Sequence, residues 1–426
     1  MSYKTIQDTV HGSVKFEGAF LELLDTPEIQ RLHGINQLGL TKLVFPGANH
    51  TRLEHSIGTY HVADRMSRSL DLDVEEKDIV KTAALLHDVG HAPYSHTLES
   101  ILENETGKDH MDITKDIIVG DLIIEERETP SIPEILEKHG ISPNKVADLI
   151  KGKSERTKLK DFNTHKGQKY FGEERYLYQM IHGPMDVDQL DYLLRDSHYT
   201  GAVHGVIDIE RVLQTIEIHN GDLVISKGGV PAVEGILVSR GLMFSSVYLH
   251  KTARIAELML SKAVHNVKDN LESIYRMTDW ELMSFLRDQG DFAEEVVNRI
   301  KYRYLYKRCL SLDQNEIGNA KMIDMDKIGT LKEIRKLEKR IAKKRNFSEN
   351  KVIVDVPHEE LKLSEPRLAR TSVKILEEGR LYNLSRYSPL AYALQKRPTQ
   401  PWVLMVSCPE DLREELGDIA KKEIMG

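Results

Sequence analysis

Residues Leu85–His96 read LLHDVGHAPYSH, and this stretch decides the fold. The segment leading into it, Asp78–Leu86 (DIVKTAALL), carries an apolar face that ends in a near-continuous apolar run, which predicts a buried helix. That helix runs directly into His87, Asp88, His91 and His96. Ionisable groups at the end of an apolar helix are costly unless they are paired or bound to an ion. Histidines that cap the helix and bond backbone carbonyls would also satisfy these residues. An HD dipeptide alone is a weak signal in a chain with 18 histidines.

Two other stretches bear on the choice. Upstream, Thr51–Arg52–Leu53–Glu54–His55 has the capping-box form, with Thr51 and Glu54 three residues apart, which puts His55 in the first turn of a helix. Downstream, Met185–Asp196 reads MDVDQLDYLLRD. At helical spacing Val187, Leu190, Leu193 and Leu194 share one face, while Asp188, Asp191, Tyr192, Arg195 and Asp196 share the other. Alone, that polar face is either a solvated exterior or the wall of a cleft. Taken together, three separated helices could each present ligands to one ion. His87 and Asp88 diverge by about 100° on a helix, so they share an ion only at its edge. His55 and Asp188 are the natural suppliers of the remaining ligands. Two imidazoles and two carboxylates suit one divalent Mn, Fe, Zn, Ni or Mg and leave positions for water.

The chain has 426 residues, 40% hydrophobic and 30% charged, which is ample for a packed core and too apolar for a disordered chain. Fifty-nine basic side chains against 67 acidic ones leave a net charge of −8. That balance argues against a surface built throughout to neutralise phosphates, though not against one local basic pocket. Cys309 and Cys408 are the only cysteines, so no multi-cysteine zinc site exists and metal chemistry here is nitrogen and oxygen chemistry. The longest apolar stretches run to about five residues, such as Trp402–Val406, where a membrane span needs about twenty. MSYKTIQD shows no secretory signal. A cytoplasmic setting without a membrane partner is expected.

Most of the chain reads as helical, including Ala256–Val267, Trp280–Leu286 and Phe292–Ile300, while polar Gly152–Gly172 reads as a loop. After roughly Met322 the texture changes. Val352–Val356, Val373–Glu377 and Trp402–Val406 look like strands, Glu377–Arg380 fits a hairpin turn, and Glu410–Ile424 is a closing helix. The expected class is mainly α, with a helical core over 1–320 and a small α/β unit over 321–426. The basic stretch Leu331–Arg345 has Leu331, Ile334, Leu337 and Ile341 at helical spacing. One apolar stripe is therefore expected to dock and leave the charges solvated, in preference to a nucleic-acid-binding face.

The order His55, His87–Asp88, Asp188 resembles the HD-domain metal-dependent phosphohydrolases. Longer phrases match as well: DTVHG at 8–12, DTPEIQRLHGINQLGLTKLVFPGANHTRLEHSIG at 25–58, LLHDVGHAPYSH at 85–96 and DVDQLDYLLRDSHYTG at 186–201. Over about residues 4–260 they are similar to the deoxynucleoside triphosphate triphosphohydrolases, the branch that includes the vertebrate SAM-and-HD-domain dNTPases and bacterial relatives. The resemblance implies an all-helical HD core with His55, His87, Asp88 and Asp188 as metal ligands. It implies that His91, His96 and His110 line the catalytic pocket, with His96 or His110 as proton donor. Arg52 and Arg240 match phosphate-contacting arginines. Gln37, Leu38, Tyr192 and Asp196 match residues that hold the deoxyribose, and Tyr248 the aromatic beside the base. The implied substrate is a dNTP, with a second Mg on its triphosphate as a further expectation, cleaved at the α-phosphorus to a deoxynucleoside and triphosphate.

Several positions depart from the family pattern. Gln189 stands where the vertebrate relatives carry a lysine, and Leu249 replaces a polar residue near the base. His110 is followed by Met–Asp where the family has Glu–Gln. At the regulatory nucleotide site Lys4, Asp25 and Gln30 match, but His33 replaces an arginine. Arg211 matches the second activator's cluster, whereas Ser226 and Gly228 carry no charge. A homo-oligomer is implied, and a constitutive dimer is expected at least as much as a nucleotide-activated tetramer. Two other readings stay open: an HD phosphohydrolase for another nucleotide or phosphoester, and a nucleotide-sensing or nucleic-acid-binding protein with a vestigial site.

Overall fold

Two capping boxes open the helices that carry the HD residues. Thr51 accepts from Glu54 N while the Glu54 carboxylate takes the Thr51 N–H at 2.7 Å, and helix α1 (Arg52–Ser69) follows. Asp73 and Glu76 repeat the arrangement at the start of α2 (Val74–Leu86). Each such cap contributes about 1 kcal/mol. In the computed structural model, which describes residues 3–125, 128–152, 174–267, 271–313, 316, 330–356, 373–395 and 402–425, both helices pack into one large core. Ile79, Val80, Ala83, Ala84, Leu85 and Leu86 of α2 are buried in it. His87 caps α2, and a turn over 87–90 leads to α3 (Ser95–Thr106) and α4 (His110–Val119). Helix α5 (Val187–Thr200) starts behind Asp186, whose side chain accepts from Gln189 N at 2.8 Å, and packs along α1.

Among the described residues nine strands accompany the helices. β1 (Tyr3–Asp8) and β2 (Gly12–Glu17) form an antiparallel hairpin with Tyr3 opposite Glu17 and Asp8 opposite Gly12. β3 (Ile216–His219) and β4 (Asp222–Ser226) form a second hairpin. β5 (Lys307–Leu312), β6 (Ile353–Asp355) and β9 (Leu404–Cys408) form a three-stranded antiparallel sheet with β9 in the middle. β7 (Lys374–Glu377) and β8 (Arg380–Asn383) form the hairpin expected around Glu377–Arg380.

The class is mainly α with a small sheet-containing C-terminal region. Packing divides the chain differently from composition at 320/321. β5 precedes that point yet joins β9, and β7 lies parallel to β4, so residues 374–383 complete a sheet begun at 216. Ile375 is fully buried in the main core, which explains why that hairpin leaves the C-terminal unit. The second core lies between the β5–β9–β6 sheet and two helices, Leu331–Lys343 and Arg413–Met425. Ile334, Leu337 and Ile341 are buried there, so the basic helix docks by its stripe. Its cations meet acids: Arg335 with Glu338, Lys336 with Glu333, Arg340 and Lys344 with Glu423, and Arg345 with Glu415. The loop read at 152–172 lies, from 153 on, outside the described residues. Lys227–Tyr248 alone among the described helices is long and apolar enough to cross a membrane. It is a core helix, with Val233, Ile236, Leu237 and Met243 fully buried, and it carries buried Arg240.

Candidate active site

His55 in the first turn of α1, His87 at the end of α2 and Asp188 in the first turn of α5 converge. One ligand atom from each lies within 4.8 Å of the others. His55 Nε2 is 2.9 Å from Asp188 Oδ1, and His87 Nε2 is 3.9 Å from the same oxygen. Both Nε2 atoms are buried and face the Asp188 carboxylate. The opposite ring nitrogens are taken: His87 Nδ1 by the Ala84 carbonyl at 2.8 Å and His55 Nδ1 by Asp191 Oδ2 at 2.7 Å. A carbonyl or carboxylate oxygen accepts, so each Nδ1 bears the hydrogen and each Nε2 offers a lone pair. Two such lone pairs beside a carboxylate fit a divalent cation.

Without a cation a proton does the same work. Burial opposes charge on the His55 ring, but the Asp188 and Asp191 carboxylates outweigh it and raise its pKa to about 10. Burial likewise works against the Asp188 carboxylate, and His55 and His87 more than offset it, so its pKa falls.

Asp88 sits at the edge of this group. Its Oδ1 is 3.2 Å from both His87 Nε2 and His91 Nε2, while Oδ2 pairs with Arg52 Nη1 at 2.6 Å and is 4.0 Å from His55 Nε2. Arg52 also donates to Ser95 Oγ at 2.6 Å, so this buried guanidinium links α1 to the start of α3. Against the burial penalty, Arg52 and the two histidines hold Asp88 well below the usual carboxylate range.

The next layer holds the histidines. His91 and His110 stack with centroids 4.1 Å apart and planes at 11°. The stack depends on Gly90, where a Cβ would overlap the backbone of His110 and Thr114. His110 Nδ1 bonds Glu99, which raises its pKa against the opposing effect of burial. Burial, Arg52 and His110 push His91 the other way. One ring of the stack is thus poised to carry a proton and the other to remain neutral. His96 lies on α3, and its side chain is outside the described residues.

Further along α5, Asp196 takes His50 Nε2 at 2.7 Å on one oxygen and the Tyr248 hydroxyl at 2.7 Å on the other. Tyr192 meets Tyr248 edge-on at 6.2 Å. Gln37, whose N–H bonds the His50 carbonyl at 3.0 Å, buries an unpartnered Oε1, and half-buried Leu38 follows it. With its amide turned so that both neighbours are satisfied, Gln189 donates to the Pro184 carbonyl at 3.1 Å and accepts from Arg240 Nη1 at 2.8 Å, so the substituted position engages a phosphate-matching arginine.

Sequence reasoning left several residues of this network without a role. Asp191 is fully buried and binds His11, His55 and Arg195. The signal for it was its place one turn after Asp188 and one turn before Arg195 on the polar face. Glu99 had the same kind of signal, three residues after His96. His50 had none beyond its position beside the capping box.

Comparison with known proteins agrees with the geometry. The HD domain matches residues 52–196 and the HD associated region residues 207–425. An uncharacterized protein of Methanocaldococcus jannaschii is 30% identical over 97% of this chain and 81% of its own length. The deoxynucleoside triphosphate triphosphohydrolase SAMHD1 of Gallus gallus is 27% identical over 71% of this chain, which spans 55% of that relative. A crystal structure of a hypothetical protein from Aquifex aeolicus shares 28% identity and superposes with a TM-score of 0.72, covering 98% of this chain and all of that one. With its helix-borne His55, His87 and Asp188 and both family segments in order, the chain belongs to the HD-domain phosphohydrolase family, in the branch with an HD-associated region.

Proposed function

We propose that this protein is a metal-dependent dNTP triphosphohydrolase that releases a deoxynucleoside and intact triphosphate. The observation that carries the reading is the layout along α5. Asp188 faces the two ligand imidazoles, and two turns on Asp196 anchors Tyr248 beside Tyr192. Phosphate chemistry and sugar recognition then lie along one helix, with the His91–His110 stack beside Asp88. The named activity of the SAMHD1 relatives supports the same substrate.

His55, His87 and Asp188 would hold one divalent ion, with Asp88 as the fourth group. When bound, such an ion polarises a phosphoryl oxygen and lowers the pKa of water, which supplies a nucleophile near neutral pH. Arg52 and Arg240 bind phosphate oxygens and disperse the triphosphate charge. Water attacks the α-phosphorus in line with the sugar 5′-oxygen: the bond from phosphorus to the water oxygen forms, the P–O5′ bond breaks, and the triphosphate keeps the water oxygen while the deoxynucleoside departs. Protonated His110, held by Glu99, or His96 gives its proton to the departing 5′-oxygen. Tyr192, packed against the sugar, excludes a 2′-hydroxyl. A cytoplasmic dimer or tetramer belongs to the same proposal.

A second reading, a phosphohydrolase for another phosphoester, is favoured by Gln189. It places a neutral amide at the family's lysine position and occupies Arg240. Product analysis with dGTP and Mn²⁺ separates the two readings. Triphosphate and deoxyguanosine support the first, whereas an inert dGTP with turnover of another phosphoester supports the second.

A further inference from the structure

His11 lies on the turn between β1 and β2, outside the segment matched by the HD domain, yet its side chain is only 5% exposed and reaches the layer behind the metal centre. We propose that the N-terminal hairpin completes the metal centre, with His11 as a positioning residue that acts on the ligand His55 through Asp191. The proposal rests on the reading of His55, His87 and Asp188 as metal ligands.

The chain of contacts is continuous and buried. His11 Nε2 meets Asp191 Oδ1 at 2.6 Å, and Asp191 Oδ2 meets His55 Nδ1 at 2.7 Å. Arg195 closes the other side of the carboxylate, with Nη2 on Oδ1 at 2.9 Å and Nε on Oδ2 at 2.8 Å. Its remaining Nη1 goes to Asp8 Oδ2 at 2.8 Å, back on the hairpin. Asp8 Oδ1 accepts the Val10 and His11 N–H groups at 2.9 and 2.7 Å, which folds the turn that aims His11. Asp191 and Arg195 are fully buried. The carboxylate therefore draws all its donors from protein: two from Arg195, one from the ligand and one from the hairpin.

Physical chemistry gives this layer a function. A carboxylate behind a ligating imidazole fixes which ring nitrogen carries the hydrogen and how basic the other one is. Without His11, Asp191 Oδ1 loses its shortest hydrogen bond and a void opens beneath the hairpin. The carboxylate can then turn from His55, and His55 Nε2 loses its aim at the ion.

The test measures Mn²⁺ dissociation constants by competition with a fluorescent chelator, on the full chain and without substrate. Losing an outer partner of this kind costs about 10- to 100-fold in metal affinity, and about tenfold is expected for His11→Ala. His11→Gln, whose amide still donates to Asp191, is expected to recover most of that loss. In a double-mutant cycle, Asp191→Asn is expected to erase the effect of His11→Ala, because both act through one contact. Unchanged Mn²⁺ affinity in His11→Ala, or additive losses with Asp191→Asn, would overturn the proposal. Thermal unfolding of each chelated variant checks that it is folded; if His11→Ala is not, His11→Phe, which fills the same space but cannot donate to Asp191, carries the test, with a loss of about tenfold expected and unchanged affinity overturning the proposal. His87→Ala serves as the control. If it binds Mn²⁺ like the parent, the metal-centre reading fails; if it loses Mn²⁺ while His11→Ala does not, only the hairpin proposal fails.

Discussion

His87 Nδ1 lies 2.8 Å from the carbonyl oxygen of Ala84, one turn back on α2. That bond fixes the ring hydrogen on Nδ1 and turns the buried Nε2 toward Asp188. His87→Ala is therefore expected to cost metal affinity by at least the roughly 100-fold at the upper end for outer partners. Metal analysis after gel filtration checks this. A variant that keeps one equivalent of metal would remove His87 from the ligand set.

Gly58 on α1 faces the Asp191–Arg195 pair, and a Cβ there would overlap Asp191 Oδ1 and Arg195 Nη2. Neither atom can yield without breaking a buried ion pair that also holds His55. Gly58→Ala is expected to destabilise the fold by about 1–3 kcal/mol, the range for overpacking a core. It should weaken Mn²⁺ binding as well. Denaturant titration and chelator competition on one sample read both effects, and parental values in both would contradict the packing described.

The raised pKa of His55 makes a pH prediction for the chelated protein. The folded value is about 10 against 6.5 for an ordinary imidazole. The stability it contributes is complete below about 6.5 and is lost as pH rises toward 10. His110, also raised, acts in the same direction. With Mn²⁺ in place of the proton, the His55 share of this slope should vanish. Denaturant midpoints at pH 7 and 9.5, with EDTA and with saturating Mn²⁺, give the comparison. Equal slopes in the two series would show that proton and metal do not compete at His55.

His110 offers a separation of chemistry from binding. Its ring stacks on His91 and bonds Glu99, and it lies outside the His55–His87–Asp188 group. His110→Ala should retain metal and lower kcat by about 10²–10⁴-fold, the usual worth of a positioned acid. Because His110 acts in its protonated form, Glu99→Gln should lower the pH at which kcat falls on the alkaline side of its profile. Parental turnover in His110→Ala would leave the proton transfer to His96 or to water.

Much of this site was legible where the signal is local. The Thr51–Glu54 box has a three-residue signature, and it placed His55 correctly in the first turn of α1. The polar face of α5 was legible as a face, but not as a buried one. Part of its cover, Asp8 and His11, comes from about 180 residues away, and no spacing announces that contact. The Glu377–Arg380 turn identified its hairpin, yet the parallel partner β4 lies 150 residues upstream and leaves no mark in the local pattern. The stripe on Leu331–Lys343 showed that the helix docks. Its acidic partners Glu415 and Glu423 were out of reach because they come from the closing helix.

The most direct measurement is the product balance of dGTP hydrolysis by the metal-loaded protein. The reaction is run in ¹⁸O-labelled water and followed by chromatography and mass spectrometry. The account predicts deoxyguanosine and triphosphate in equal amounts, with one ¹⁸O in the triphosphate and none in the nucleoside. That places the attack at the α-phosphorus. Release of pyrophosphate or orthophosphate with no triphosphate, or no turnover of any dNTP while another phosphoester is cleaved, would contradict it.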